Sequence, residues 1–152
     1  MEAADTTRLM FEIPARADLV SFARLVVAAA AEVGVGIAPD RVEDLKLAVS
    51  EAVTNGINAQ ARVDRDDRIQ IECLFGGDAV TVIVHDHGGG FDPQNVPRLP
   101  DVEDPERLNH ESGLGLSLIA TLTDESEVAP GEDGTDVTMV VYSAKRQRNN
   151  VS

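Results

Sequence analysis

The sequence predicts an α/β domain of the α+β kind, a two-layer sandwich with helices on one face of a mixed, largely antiparallel sheet. Three observations carry this. Apolar residues alternate with period two in segments that come as hairpin pairs, at 68–86 and 127–142. Apolar residues recur at helical spacing at 17–33, from Pro39 through Ala59, and at 113–122. The order strand, two helices, hairpin, helix, hairpin lets the helices cover a single sheet face.

Each element has its own signal. Thr7–Ile13 reads as a first strand ended by Pro14. Ala17–Val33 carries Leu19, Phe22, Ala23, Val26, Val27 and Ala30 on one helical face, and Gly34 and Gly36 stop it. The next helix starts at "PDRVE", where Asp40 and Glu43 have the spacing of a capping box. Val42, Leu45, Val49, Ala52 and Val53 form its buried stripe. In Arg68–Phe75, residues Ile69, Ile71, Cys73 and Phe75 share a face; Gly76-Gly77 is a hairpin turn, and Ala79–Asp86 returns. Phe91–Ser112 holds four of the seven prolines and no periodicity, the mark of a long functional loop. Gly113–Leu122 is a short helix. Glu127–Ala129 and Asp136–Tyr142 form a last hairpin around "PGEDGT", and 145–152 is a frayed tail.

A length of 152 residues suits one domain spanning 1–152. Hydrophobic residues make up 43% but aromatics only 3%, so the core is built from Val, Leu, Ile and Ala. The formal net charge of −14 argues against nucleic acid as a direct ligand, which needs a basic surface, and favours a basic protein partner. Cys73 is the single cysteine, so no internal disulfide exists; it alternates with core residues and is expected to be buried and inert. No apolar run reaches the ~20 residues of a membrane span and no signal-peptide pattern opens the chain. The cytoplasm is the expected location.

The chemistry starts from "SEAVTNGINA" (Ser50–Ala59). Glu51, Asn55 and Asn58 fall within roughly 60° of one another on the helix, and Asp44 lies on the same line. Asn is a poor helix former, so two of them beside a carboxylate go against local propensity, as functional sites often do. Asp86 shares a strand face with Val80, Val82 and Val84, an odd place for a carboxylate. "DHGGG" (Asp86–Gly90) follows that strand, "SGLGL" opens a helix, and "GT" (Gly134-Thr135) precedes the last strand. Glycines at a helix start offer free N–H groups to phosphates. Taken singly, each has a plainer reading: a solvated helix face, a turn cap, ordinary turns. His85, His87 and His110 lack metal-site spacing and read as structural or solvated.

In series, ExxxNxxN on a helix, DxGxG after a strand, GxG at a helix start and GT before a final strand resemble the nucleotide-binding boxes of the GHKL ATPase superfamily, the Bergerat fold. The resemblance covers nearly the whole chain, from Leu9 to Tyr142. "LKLAVSEAVTNGINA" and "ESGLGLSLIATLTDE" resemble the bacterial anti-sigma-factor serine/threonine kinases. A histidine kinase would need a dimerisation helix pair with its phosphoacceptor upstream of the first box, and too little chain precedes Glu51.

The resemblance implies ATP and Mg²⁺ as ligands, with Asn55 the metal ligand and Glu51 the general base on an incoming serine. It implies that Asp86 accepts the adenine 6-amino group and that Gly88 and Gly90 let the chain pass close to the nucleotide. Gly113, Leu114, Gly115 and Leu116 would bring helix-start amides to the phosphates. Thr135 would support the base end, Asn58 would stand either behind the direct contacts or on the phosphate side, and Phe91–Ser112 would be a lid. The implied partners are a sigma factor and a STAS-domain anti-anti-sigma factor; homodimerisation stays open. Some relatives carry Arg where this chain has Glu111, and Arg107 would be the substitute; other relatives are acidic there too. Two functions follow: a protein serine kinase that also sequesters a sigma factor, or a non-enzymatic module whose partner surface ATP shapes. A third is an ATPase module for another signalling partner.

Overall fold

The computed structural model describes residues 6–88 and 111–143, and for 111–115 the backbone alone. Most of the proline-rich segment, with Gly90, Arg107 and His110, lies outside the described residues, as does the tail. Five strands, β1 (Thr7–Ile13), β2 (Ile69–Gly76), β3 (Ala79–Asp86), β4 (Glu125–Gly131) and β5 (Gly134–Tyr142), form one sheet in the order β1-β2-β3-β5-β4. All four pairings are antiparallel, so the mixed character expected from the sequence does not appear among the described residues.

Three helices cover one face: α1 (Val20–Ala30), α2 (Pro39–Arg62) and α3 (Glu111–Leu122). The alternation puts Ile69, Ile71 and Cys73, then Val80, Val82 and Val84, then Val137, Met139 and Val141 against them, all buried. The stripe expected on α2, Val42, Leu45, Val49, Ala52 and Val53, is buried as well. At ~25 cal/mol per Å² of apolar surface removed from water, this shared face is the main source of stability. Cys73 lies in that core, and burial pushes its thiol up to about 11.

Four local readings need correction. Ala17–Val33 is not one α-helix: a 3-10 turn (Ala17–Leu19) leads into α1, and a wide π turn (Ala31–Val35) follows. Gly34 therefore lies inside the turn, where the Phe75 ring packs so closely that a Cβ would sit 2.0 Å from it. Gly36, in the left-handed region at φ 70°, ends the helix. Second, Phe22 is not in the core. It is 55% exposed and meets the edge of Phe11 at 6.4 Å, while Ala23, Val27, Ala28 and Ala30 form the buried side of α1. Phe22 stands at the rim of that buried side, against the Phe11 ring.

Third, Asp40 does not cap α2. Ala38 is the N-cap, without a side-chain bond, and Pro39 opens the helix, where its missing N–H costs nothing. Fourth, the hairpins are tighter than read: Gly76 pairs with Ala79 and Gly131 with Gly134, leaving Gly77-Asp78 and Glu132-Asp133 as two-residue turns.

Candidate active site

A cavity of about 350 Å³ opens between α2, α3 and the ends of β3, β4 and β5. This is the size range of small-molecule sites. Among its lining residues are Asn55, Asp86, Gly88, Leu116 and Thr135, brought together from α2, β3 and the turn after it, α3 and β5. Ala52, Ala59, Val128 and Val137 give it apolar walls, and Arg62 and Val63 stand at the end of α2.

Asp86 ends the β3 row of valines and is only 8% exposed. Its Oδ1 accepts the Gly88 N–H at 2.8 Å. Burial pushes its carboxyl up from the ordinary aspartate value, against the pull of the backbone N–H groups of Gly88 and Thr135. Three glycines permit this packing. A Cβ on Gly56 would lie 3.1 Å from Asp86 Cβ, and one on Gly88 would lie 2.5 Å from Ala59 Cβ. One on Gly134 would lie 1.8 Å from the Asp86 carbonyl oxygen.

Asn55 is half-buried on α2, and its Nδ2 is buried without a hydrogen-bond partner among the described residues. An unsatisfied buried amide costs ~1–3 kcal/mol, so its retention beside a cavity points to a polar ligand. Mg²⁺ fits this setting. An ion that keeps waters and binds substrate phosphates needs only one or two protein oxygens, and the Asn55 amide can present its oxygen by a flip. The described residues hold no cluster of three or more His, Cys, Asp and Glu that would bind a metal by itself.

Glu51 is half-buried one turn before Asn55 and does not line the cavity; Asn58 is exposed and does not line it either. Gly113 and Leu114 lie in the first turn of α3 and Gly115 just beyond. The helix starts at Glu111, two residues earlier than expected. The far end of α3 is fixed to α2: Arg41 donates to the Leu122 carbonyl at 3.3 Å and pairs with Asp124 at 3.2 Å. Arg41 also holds Asp44 at 2.7 Å, which gives that carboxylate a structural partner. His85 sits on the opposite sheet face, 2.6 Å from Asp136, in keeping with a structural role.

Sequence reasoning missed Gln60, Gly56, Arg62 and Val63. A signal for Gln60 was present. It follows Val49, Val53 and Gly56 along the buried line of α2, a polar residue among apolar ones like Asp86 among valines. Gly56 had no signal, because its role depends on how closely β3 approaches.

Residues 13–141 match the family model described as "Histidine kinase-like ATPase domain". The chain is 35% identical over 148 residues to the serine-protein kinase RsbW of a Bacillus cereus strain, covering 94% of this chain and 89% of that protein. It is 34% identical over 144 residues to RsbW of Listeria monocytogenes, covering 92% and 90%. The crystal structure of the RsbU and RsbW domains of a Mycobacterium tuberculosis protein superposes with a TM-score of 0.64 at 20% identity, over 90% of this chain and 32% of that one; this likeness concerns the fold. The chain belongs to the histidine kinase-like ATPase domain family, and within it to the ATP-dependent serine-protein kinases.

Proposed function

We propose that the chain is a single kinase domain that phosphorylates a serine of a STAS-domain anti-anti-sigma factor and binds a sigma factor in the cytoplasm. One observation carries the reading of the site: a buried carboxylate, Asp86, and an unpartnered buried amide, Asn55, face one cavity of nucleotide-binding size. Asp86 takes the adenine 6-amino group, and its apolar walls exclude water from that bond. Asn55 is the residue that would hold Mg²⁺, which when bound neutralises charge on the phosphates.

Glu51, one turn toward the N-terminus of α2, then stands on the phosphate side. It accepts the proton of the incoming serine hydroxyl as the serine oxygen bonds to the γ-phosphorus. The bond from that phosphorus to the β,γ-bridging oxygen breaks, and ADP leaves with the electron pair. Gly113 and Leu114, in the first turn of α3, supply N–H groups toward the phosphates. Thr135 supports the base end beside Asp86, with which it pairs in the sheet.

The test is co-purification from native extract followed by incubation with ATP labelled at the γ-phosphate. The expected result is label on a serine of a co-purifying STAS-domain protein, together with a sigma factor in the unphosphorylated complex. Nucleotide binding without transfer to any co-purifying protein would overturn the substrate assignment.

A further inference from the structure

Gln60 is the largest fully buried polar side chain among the described residues, with 0% exposure. Burying an amide unpaired costs several kcal/mol, and here both ends are paired. Its Nε2 donates to the Asp67 carbonyl at 2.7 Å, and its Oε1 accepts the His87 N–H at 2.8 Å. The amide orientation is fixed by chemistry, because a carbonyl only accepts and an N–H only donates.

The first bond closes the end of α2, a task shared with the Gln60 carbonyl, which accepts from Arg65 at 2.9 Å. The second leaves that segment and reaches the peptide joining Asp86 to His87. The N–H of that peptide is held by Gln60, and its carbonyl is the oxygen packed against Gly134. One residue on, the Gly88 N–H holds Asp86 Oδ1. The Asp86–Gly88 turn is thus fixed on both sides of one peptide plane and again at the carboxylate.

We propose that Gln60 is a positioning residue for recognition of the base: it sets the direction of the Asp86 carboxylate through the His87 N–H, and so controls how strongly the site distinguishes purines with a 6-amino group from those without. This rests on the reading of Asp86 given above. A site built to hydrogen-bond a substrate group rejects the analogue lacking it, provided the partner is held in place. Gln60 itself does not line the cavity.

The experiment measures affinity by calorimetry for ATP and for purine riboside triphosphate, which lacks the 6-amino group. The wild type should prefer ATP by about one to two decades. Gln60→Met keeps the length but removes both bonds, and its preference should fall to about threefold or less in a protein whose circular dichroism shows it folded. Gln60→Glu keeps an acceptor for the His87 N–H and should keep most of the preference. A folded Gln60→Met with wild-type preference overturns the proposal, and so does a Gln60→Glu that loses it; the second variant decides alone if the first does not fold. A wild type without preference overturns the Asp86 reading as well, and that result is seen before any variant is made.

Discussion

Gly134 and Asp86 meet backbone to backbone, so closely that a Cβ on Gly134 would sit 1.8 Å from the Asp86 carbonyl oxygen. Gly134 also has φ 143°, a region nearly closed to other residues. The contact occurs where β5 begins, beside the Asp86–Thr135 pair. The "GT" of the sequence is therefore a requirement of the Asp86 end of the cavity as well as of a hairpin.

Gly134→Ala should destabilise the fold through both the strained backbone and the collision. Strain of this kind costs ~1–3 kcal/mol, and relief of the clash requires the β3–β5 ends to part. Urea titration should show a lower midpoint, and the folded fraction should bind ATP more weakly. An unchanged midpoint would mean that the two strands separate there without cost.

Asp86→Asn should weaken ATP binding by ~1.5–3 kcal/mol, about one to two decades, because the amino group loses a charged acceptor. The effect on stability runs the other way. Burial raises the Asp86 pKa in the folded chain. Its stabilising contribution is thus complete below the unfolded-state value and is lost as pH rises through the raised folded value. At neutral pH the buried carboxylate is a net cost, so the variant should melt no lower than the wild type. ATP affinity of the wild type should also fall on acidification above the ordinary aspartate range, and Asp86→Asn should flatten that fall. Calorimetry across pH and a thermal melt check all three; a variant that binds ATP as before would sink the base assignment.

Much of this was legible in the chain, for reasons that also mark the limit. The α2 stripe repeats over about three turns from Val42 to Val53, and the sheet alternates against a single core, so local period alone placed their buried faces. Asp86 stood out because a carboxylate broke a valine row. Gln60 broke the α2 line in the same way, yet its two backbone partners belong to segments that meet it only in the fold. Phe22 fitted the helical period of α1, but the face that turns to the core is the one carrying Ala23, Val27 and Ala30, and period alone does not fix where its edge falls. At "APDRVE" two start signals competed, and proline at the first helical position prevailed over aspartate at the cap. The role of Gly56 is visible only once Asp86 lies across from it.

Cys73 should not react with thiol reagents in the native protein. Its thiol is buried and pushed up to about 11, so almost none is thiolate at neutral pH. Labelling by a maleimide should track unfolding in urea. Rapid labelling without denaturant would mean that β2 opens locally from the core.

Glu51→Gln should separate chemistry from binding. Glu51 lies outside the cavity lining but one turn from Asn55, which lines it. As the proposed general base, Glu51 would meet the incoming hydroxyl rather than the nucleotide, so replacing it should leave ATP affinity unchanged. The amide keeps the shape and a hydrogen-bonding oxygen while removing the base. A positioned base adds ~10²–10⁴-fold, with most of the remaining rate enhancement in phosphoryl transfer coming from positioning and charge. Transfer to a STAS-domain serine should slow at least ~100-fold at saturating ATP, while calorimetric ATP binding and capture of the sigma factor persist. Loss of ATP binding would instead put Glu51 among the nucleotide contacts. Transfer at the wild-type rate would leave the proton to water or to the substrate, and the Glu51–Asn55 line on α2 would then serve phosphate binding alone.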